Sequence, residues 1–357
     1  MSGHEALPGA WAYDALESRA LFGAGRAADA RAEIERLGGR RTLLIASDGA
    51  VRRNADLIPS LGAQMVGHFS GIEPHCPIET VEAALALYRR VGADAVLTVG
   101  GGSAIGIAKN LRMATGAISV VIATTYSGAE MTSIYGAKSS GEKRTEKDPK
   151  AKPQTIIYDP LYTLDLPASE TIATGMNGLA HCVEALYPRT PNPVASALAV
   201  EGIAAFFRGL PGSVSAPRDV GSRSDALRGG FIGGLLVQLV GIGLHHRICH
   251  VLGGRFGIAH GVSNSVVLPY VAEFNREAIL RAAPGLRAEF DAWPGRAIKL
   301  LGRKIGAQPS LRAVGLPREA LRAIAEETLA HEIVNPRPMT VQDIEAILEQ
   351  AWDGSEL

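Results

Sequence analysis

Between about residues 20 and 160, short apolar segments alternate with stretches of helical periodicity, and after about residue 166 the alternation stops. This change of rhythm constrains the fold more than any single residue. RTLLIAS (41–47) reads as a strand, followed by a helix from about Ala50; AQMVGHFSG (63–71) reads as a second strand. PIETVEAALALYRRVG (77–92) carries apolar residues at helical spacing. DAVLTVGGGS (94–103) is an apolar strand running into glycines, AIGIAKNLRMA (104–114) a helix, and SVVIATTYS (119–127) a further strand. Parallel strands need crossovers, and helices supply them. The pattern therefore predicts a mostly parallel, Rossmann-like sheet with helices on both faces over residues 1–165. From 166 to 357 every periodic segment is helical, including one long stretch from Ser222 through LHHRICHVLGG, which predicts an all-helical second domain. The charged run SSGEKRTEKDPKAKP (139–153) reads as a loop or hairpin near the junction.

The chain has 357 residues, with 36 Lys plus Arg against 36 Asp plus Glu, a balance that argues against nucleic acid or an acidic membrane surface as partner. Cys76, Cys182 and Cys249 are too few and too widely spaced for a disulfide framework and read as reduced, buried thiols. The first twenty residues carry charges where a signal peptide needs an apolar run. The near-apolar stretch Phe231–Leu244 is too short to span a bilayer and reads as a core helix. Together these features predict a cytoplasmic protein.

Three motifs carry chemistry. Gly100, Gly101, Gly102 and Ser103 lie between a strand and a helix, where backbone N–H groups can approach a pyrophosphate and the helix dipole favours it. The next strand ends in ATTYSGAEMT (123–132), placing Thr124, Thr125 and Ser127 at a carboxyl edge where ligands of parallel sheets bind. Asp48 ends the first long strand, where a carboxylate can bind ribose hydroxyls and disfavour a 2′-phosphate; locally it can equally be an N-cap. His75, on a loop after a strand, can face the same cofactor. These residues predict NADH as cofactor, with NADPH as the alternative.

The histidines make the second centre. His245, His246, His250 and His260 fall within sixteen positions, and His246 and His250 share a helical face. Asn177 and His181, in GMNGLAHCVEALY, repeat the i, i+4 spacing on another helix. Three histidines could hold a divalent metal with a fourth ligand, but residue 177 is an asparagine, a neutral and poor ligand for a transition metal.

Taken in order, GGGS, TTYSGAEMT, IIYDP, GMNGLAHCVEALY, LHHRICHVLGGRF and NPRP resemble the iron-containing alcohol dehydrogenase family, and within it the maleylacetate reductase branch. The resemblance runs from FGAGR (22–26) to NPRPMT (335–340). It implies a dinucleotide-binding domain, a helical domain, a cleft between them and hydride transfer from a nicotinamide. Metal-using members hold a metal on an Asp and three His, at positions matching Asn177, His181, His246 and His260, while His250 matches a non-ligand histidine. The Asn is typical of the reductase branch, so no essential metal is expected. That branch usually continues after its last histidine with a run such as AETH, whereas this chain has HGVSNS (260–265), closer to the metal-dependent members.

The implied reaction is NADH-dependent reduction of maleylacetate or a related 4-oxo-2-enedioate to a saturated oxo-dicarboxylate, in aromatic-compound degradation. His181, His246, His250, His260 and Asn177 would surround the reacting atoms, with His246 or His250 as general acid. Lys143, Tyr126 and His245 would contact substrate, with Arg144 and Lys147 as further candidates to grip a carboxylate. The implied assembly is a homodimer, paired through an N-terminal strand such as 18–22. Rival readings are a metal-dependent (Fe or Zn) alcohol dehydrogenase, a dehydroquinate-synthase-like lyase that recycles NAD within each turnover, and a non-catalytic dinucleotide-binding protein.

Overall fold

The computed structural model describes residues 18–74, 76–139, 142–188, 192–286, 290, 293–333 and 335–357. Its strands are β1 (Arg19–Phe22), β2 (Thr42–Ala46), β3 (Met65–Phe69), β4 (Ala95–Gly100), β5 (Ile118–Ala123), β6 (Ile134–Ser139), β7 (Glu142–Lys147) and β8 (Thr155–Tyr158). Six of them form one parallel sheet in the order β1-β8-β5-β4-β2-β3. The strands are apolar on both sides because both faces are covered. Leu44, Ala46, Leu97, Val99, Val120 and Ile122 face α1 (Ala30–Arg36), α2 (Asp48–Arg53) and α3 (Leu57–Leu61). Leu43, Ile45 and Val96 face α4 (Ile78–Arg90) and α5 (Gly102–Thr115). The charged run expected as a loop or hairpin is the antiparallel pair β6–β7.

Beyond β8 the described elements are helical: α6 (Ala168–Glu184), α7 (Pro193–Ser215), α8 (Val220–Val240), α9 (Leu244–Phe256), α10 (His260–Phe274), α11 (Arg276–Ala282), α12 (Pro294–Ile305), α13 (Leu321–Leu329) and α14 (Val341–Asp353), with short 3-10 turns between them. The fold is thus the expected parallel α/β sheet followed by an all-helical part. One hydrophobic cluster joins the two, running from Ala123, Tyr126, Ile156 and Tyr158 into α6, α7 and α8. By length and hydropathy α7 is apolar enough to cross a membrane. Its Ala199, Ile203, Phe206 and Leu210 are instead buried in this core.

The long helical stretch predicted through LHHRICHVLGG is two helices. It breaks at Gly241, in a positive-φ conformation (+80°) open to glycine, and α9 leaves α8 at a 99° bend. The predicted core helix over Phe231–Leu244 therefore ends at Val240. The bend turns the histidines of α9 back toward α6.

Candidate active site

The loops after β4 and β5 lie side by side, with Thr124 N donating to Gly100 O at 3.2 Å. A Cβ on Gly101 would stand 2.6 Å from Thr125 Cγ2, so a side chain there would push the loops apart. No side chain caps α5, and a Cβ on Gly102, its first residue, would meet nothing within 4 Å. The first-turn N–H groups are thus left for an anion, at the positive end of the helix dipole. Ser103, Thr124, Thr125 and Ser127 are half-buried around this crevice. Asp48 is exposed at the carboxyl end of β2. The capping role belongs to its neighbour Ser47, whose side chain accepts from Ala50 N. His75 lies outside the described residues. Lys143 sits on β7 opposite Lys138, and its side chain lies outside the described part, as does that of Arg144.

The Thr124–Gly128 loop is clamped against the helices. A Cβ on Gly234 of α8 would fall 2.3 Å from Gly128 O, so backbone meets backbone there. Tyr126, expected to contact substrate, is instead fully buried, and its hydroxyl accepts from Arg223 Nη1 at 2.9 Å. Arg223, itself fully buried, also donates to Thr171 Oγ1, Leu166 O and Pro217 O. Neutral oxygens thus satisfy its guanidinium, and Tyr126 serves to anchor the loop.

Asn177, His181 and Glu184 fall at i, i+4 and i+7 on one face of α6. They meet His245, His246 and His250 of α9, and His260 and Asn264 from the start of α10. The rings of His181 and His246 stack with centroids 4.5 Å apart, and those of His250 and His260 with centroids 5.7 Å apart. His246 joins the two pairs, 6.4 Å from His250 and 6.1 Å from His260. His246 Nδ1 lies 2.6 Å from Glu184 Oε2, and its Nε2 lies 3.2 Å from Asn177 Oδ1. Asn177 Oδ1 also accepts from Asn264 Nδ2 at 3.0 Å, and Asn177 Nδ2 reaches Ser127 O at 3.5 Å, tying the histidines to the cofactor loop. His250 and His260 are exposed and form the open side. His245, also expected at the substrate, is fully buried behind His246, with Nε2 on Asn264 Oδ1 at 2.8 Å and Cys249 Sγ at 3.6 Å. Burial and these partners give it a supporting place beside His246.

Burial, then the neighbouring imidazoles, push His181 and His246 far below the usual histidine value; burial carries His245 down to about 3. The same burial raises the Glu184 carboxyl, against backbone donors that favour its ionised form. The buried rings of His181, His245 and His246 are therefore held in their neutral form. Burial also raises the Cys182 and Cys249 thiols, so neither is a nucleophile.

At the family's metal positions, Asn177 is a poor fit for a cation. The amide oxygen of Asn177 already faces two nitrogens, and an amide brings no charge.

Two residues of this site escaped the sequence reading. Glu184 had a signal, an acid on the Asn177–His181 face of an apolar helix. Asn264 had only its place in the divergent HGVSNS run.

Fold and site together define a nucleotide-dependent oxidoreductase. Residues 17–160 match iron-containing alcohol dehydrogenase, and residues 171–352 match the C-terminal part of the Fe-containing alcohol dehydrogenase family. The chain belongs to the iron-containing alcohol dehydrogenase family. It is 37% identical over 346 residues to maleylacetate reductase 1 of Cupriavidus pinatubonensis, covering 96% of this chain and 97% of that protein. It is also 37% identical over 346 residues to the maleylacetate reductase of Sphingobium indicum, with the same two coverages. The crystal structure of maleylacetate reductase from Agrobacterium tumefaciens superposes with a TM-score of 0.93 at 36% identity, over 98% of this chain and 99% of that one. Within the family, the chain thus falls in the maleylacetate reductase branch.

Proposed function

We propose that this chain reduces maleylacetate, or a closely related 4-oxo-2-enedioate, with NADH and without a metal. The observation that carries the reading is the histidine cluster around Asn177, whose buried members are neutral, hydrogen-bonded to the loop beside the open N-terminus of α5. Bound there, the nicotinamide supplies hydride to the alkene carbon β to the substrate's ketone.

Gly100–Ser103 and the α5 N-terminus hold the pyrophosphate, Thr124, Thr125 and Ser127 line its path, and Asp48 takes the adenosine ribose. As hydride arrives, negative charge moves through the conjugated system onto the ketone oxygen. N–H donors of His260 and of His246, which shares its Nε2–H with Asn177 Oδ1, stabilise the enolate, a role worth on the order of 10²–10³-fold in rate for one donor. Conjugation spreads the charge, so neutral donors suffice where a plain aldehyde would need a cation. His250, on the open side, protonates the carbon next to the ketone. Lys147, exposed on β7, supplies a cationic group for a substrate carboxylate. The division at about residue 165 separates a cofactor domain from a helical catalytic domain, working as a homodimer in the cytoplasm.

The test is NADH oxidation with maleylacetate, by protein purified with and without EDTA, with metal content measured on the same sample. Chelator-insensitive turnover without stoichiometric metal is expected. Turnover that needs added Fe or Zn would transfer the chain to the metal-dependent alcohol dehydrogenases, the reading that HGVSNS favours.

A further inference from the structure

We propose that Asn264 is a positioning residue: by fixing which way the Asn177 carboxamide faces, it makes His246 a hydrogen-bond donor at Nε2. The argument starts from one backbone carbonyl. Ser127 O can only accept, so at 3.5 Å it weakly favours Nδ2 of Asn177 on its side. Oδ1 of Asn177 then points the other way, into the gap between Asn264 and His246. Asn264 has no exposed surface and cannot turn to water for a partner. It must present Nδ2 to Asn177 at 3.0 Å, leaving its Oδ1 for His245 Nε2 at 2.8 Å. Polarity is thereby passed along His245, Asn264 and Asn177. At its end, the 3.2 Å contact between Asn177 Oδ1 and His246 Nε2 is a hydrogen bond only if Nε2 carries the proton.

The consequence is chemical. A metal site needs a bare Nε2 and a carboxylate at 177, whereas a developing enolate needs an N–H. Asn264 is wholly buried and engaged by Asn177 and His245, yet it keeps His246 in the second state. With an acceptor alone at 264, Asn177 gives up the long contact to Ser127 O and turns its Nδ2 toward that closer acceptor and toward His246, which must then offer a lone pair. The catalytic consequence rests on the reductase reading above; the proton position does not.

The experiment therefore reads the proton directly. Long-range ¹H–¹⁵N spectra of histidine-labelled protein report the tautomer of each ring, and His246→Gln identifies the His246 signals. The wild type is expected to show His246 protonated at Nε2, with its Nδ1 facing the buried Glu184 carboxyl at 2.6 Å. Asn264→Asp should reverse the pattern, and Asn264→Ala should give a mixture. Asn264→His, which retains an N–H donor at that position, should restore it. With maleylacetate, kcat should fall on the order of 10²-fold in Asn264→Asp with the KM for NADH unchanged, and recover in Asn264→His. Thermal unfolding identifies any variant that fails to fold, in which case the alanine and histidine variants decide. A bare Nε2 in the wild type, or a His246 pattern indifferent to folded variants at 264, overturns the proposal. Absence of turnover by a wild type with the expected tautomer would instead remove the proposed substrate and leave the role of Asn264 standing.

Discussion

Glu184 Oε2 and His246 Nδ1 meet at 2.6 Å, with both side chains almost wholly buried and two helices held together by the contact. Glu184 Oε1 also accepts from the backbone N–H of His245 at 2.8 Å. One side chain thus anchors the start of α9 and orients the ring at the centre of the cluster.

Removing it should be costly. Glu184→Ala leaves buried donors without an acceptor, and should destabilise the protein by about 3 kcal/mol. Glu184→Gln resembles the neutral carboxyl and should cost about 1 kcal/mol or less. Burial raises the folded-state value of Glu184, so its favourable contribution is present at low pH and is lost as pH rises through that value. Urea unfolding should therefore show Glu184→Gln gaining on the wild type as pH is raised above about 4.5. A pH-independent difference would mean that the carboxyl is not perturbed.

His245 gives the opposite slope. Its folded-state value is lowered to about 3. The unfolded chain takes up a proton near pH 6.5 that the folded chain refuses. The stabilising contribution of its neutral form is complete above about pH 6.5 and falls by about 1.4 kcal/mol per unit below it. The stability difference between wild type and His245→Gln should be smaller at pH 5.5 than at pH 7.5 by about 1 kcal/mol. Equal differences at the two pH values would contradict a buried neutral ring.

Gly102 separates cofactor binding from folding. Its Cβ position is empty, so Gly102→Val should leave the melting temperature of the free protein within a few degrees. The added methyls would occupy the space before α5 where the pyrophosphate is placed, and should weaken NADH by tenfold or more. Nicotinamide fluorescence titration reads this. Unchanged affinity would move the dinucleotide away from α5.

Arg223 tests the loop clamp. Arg223→Met removes donors from Tyr126 Oη, Thr171 Oγ1 and two carbonyls, all in buried or partly buried surroundings. We expect a loss of about 2–4 kcal/mol in urea unfolding, and Arg223→Lys should rescue little because an ammonium lacks the planar fork.

The alternation of apolar strands and amphipathic helices to residue 160, and its end, were readable in the sequence because periodicity is a local property. So were the glycine turn at 100–102 and the helical spacing of Asn177 with His181 and of His246 with His250. Glu184 was half-legible, an acid at the right spacing whose partner lay sixty residues on. The break at Gly241 was hidden inside a continuous apolar pattern. Periodicity counts residues on a face and is insensitive to a change in axis.

Tyr126, His245 and Asn264 mark the boundary between the two kinds of information. The family resemblance placed the first two at the substrate and assigned the third no role. Burial decided otherwise, and burial depends on which helix packs across the chain. Arg223, 97 residues from Tyr126, captures its hydroxyl, and Asn264 lies between a helix-6 amide and a helix-9 imidazole. Thus the sequence by itself determined the parallel sheet, the helical second half and the residues with chemistry to offer. Tertiary structure alone decided which of them face the cleft and which hold the others in place. The physical reason is that a hydrogen bond or buried surface between distant segments leaves no periodic trace in either one.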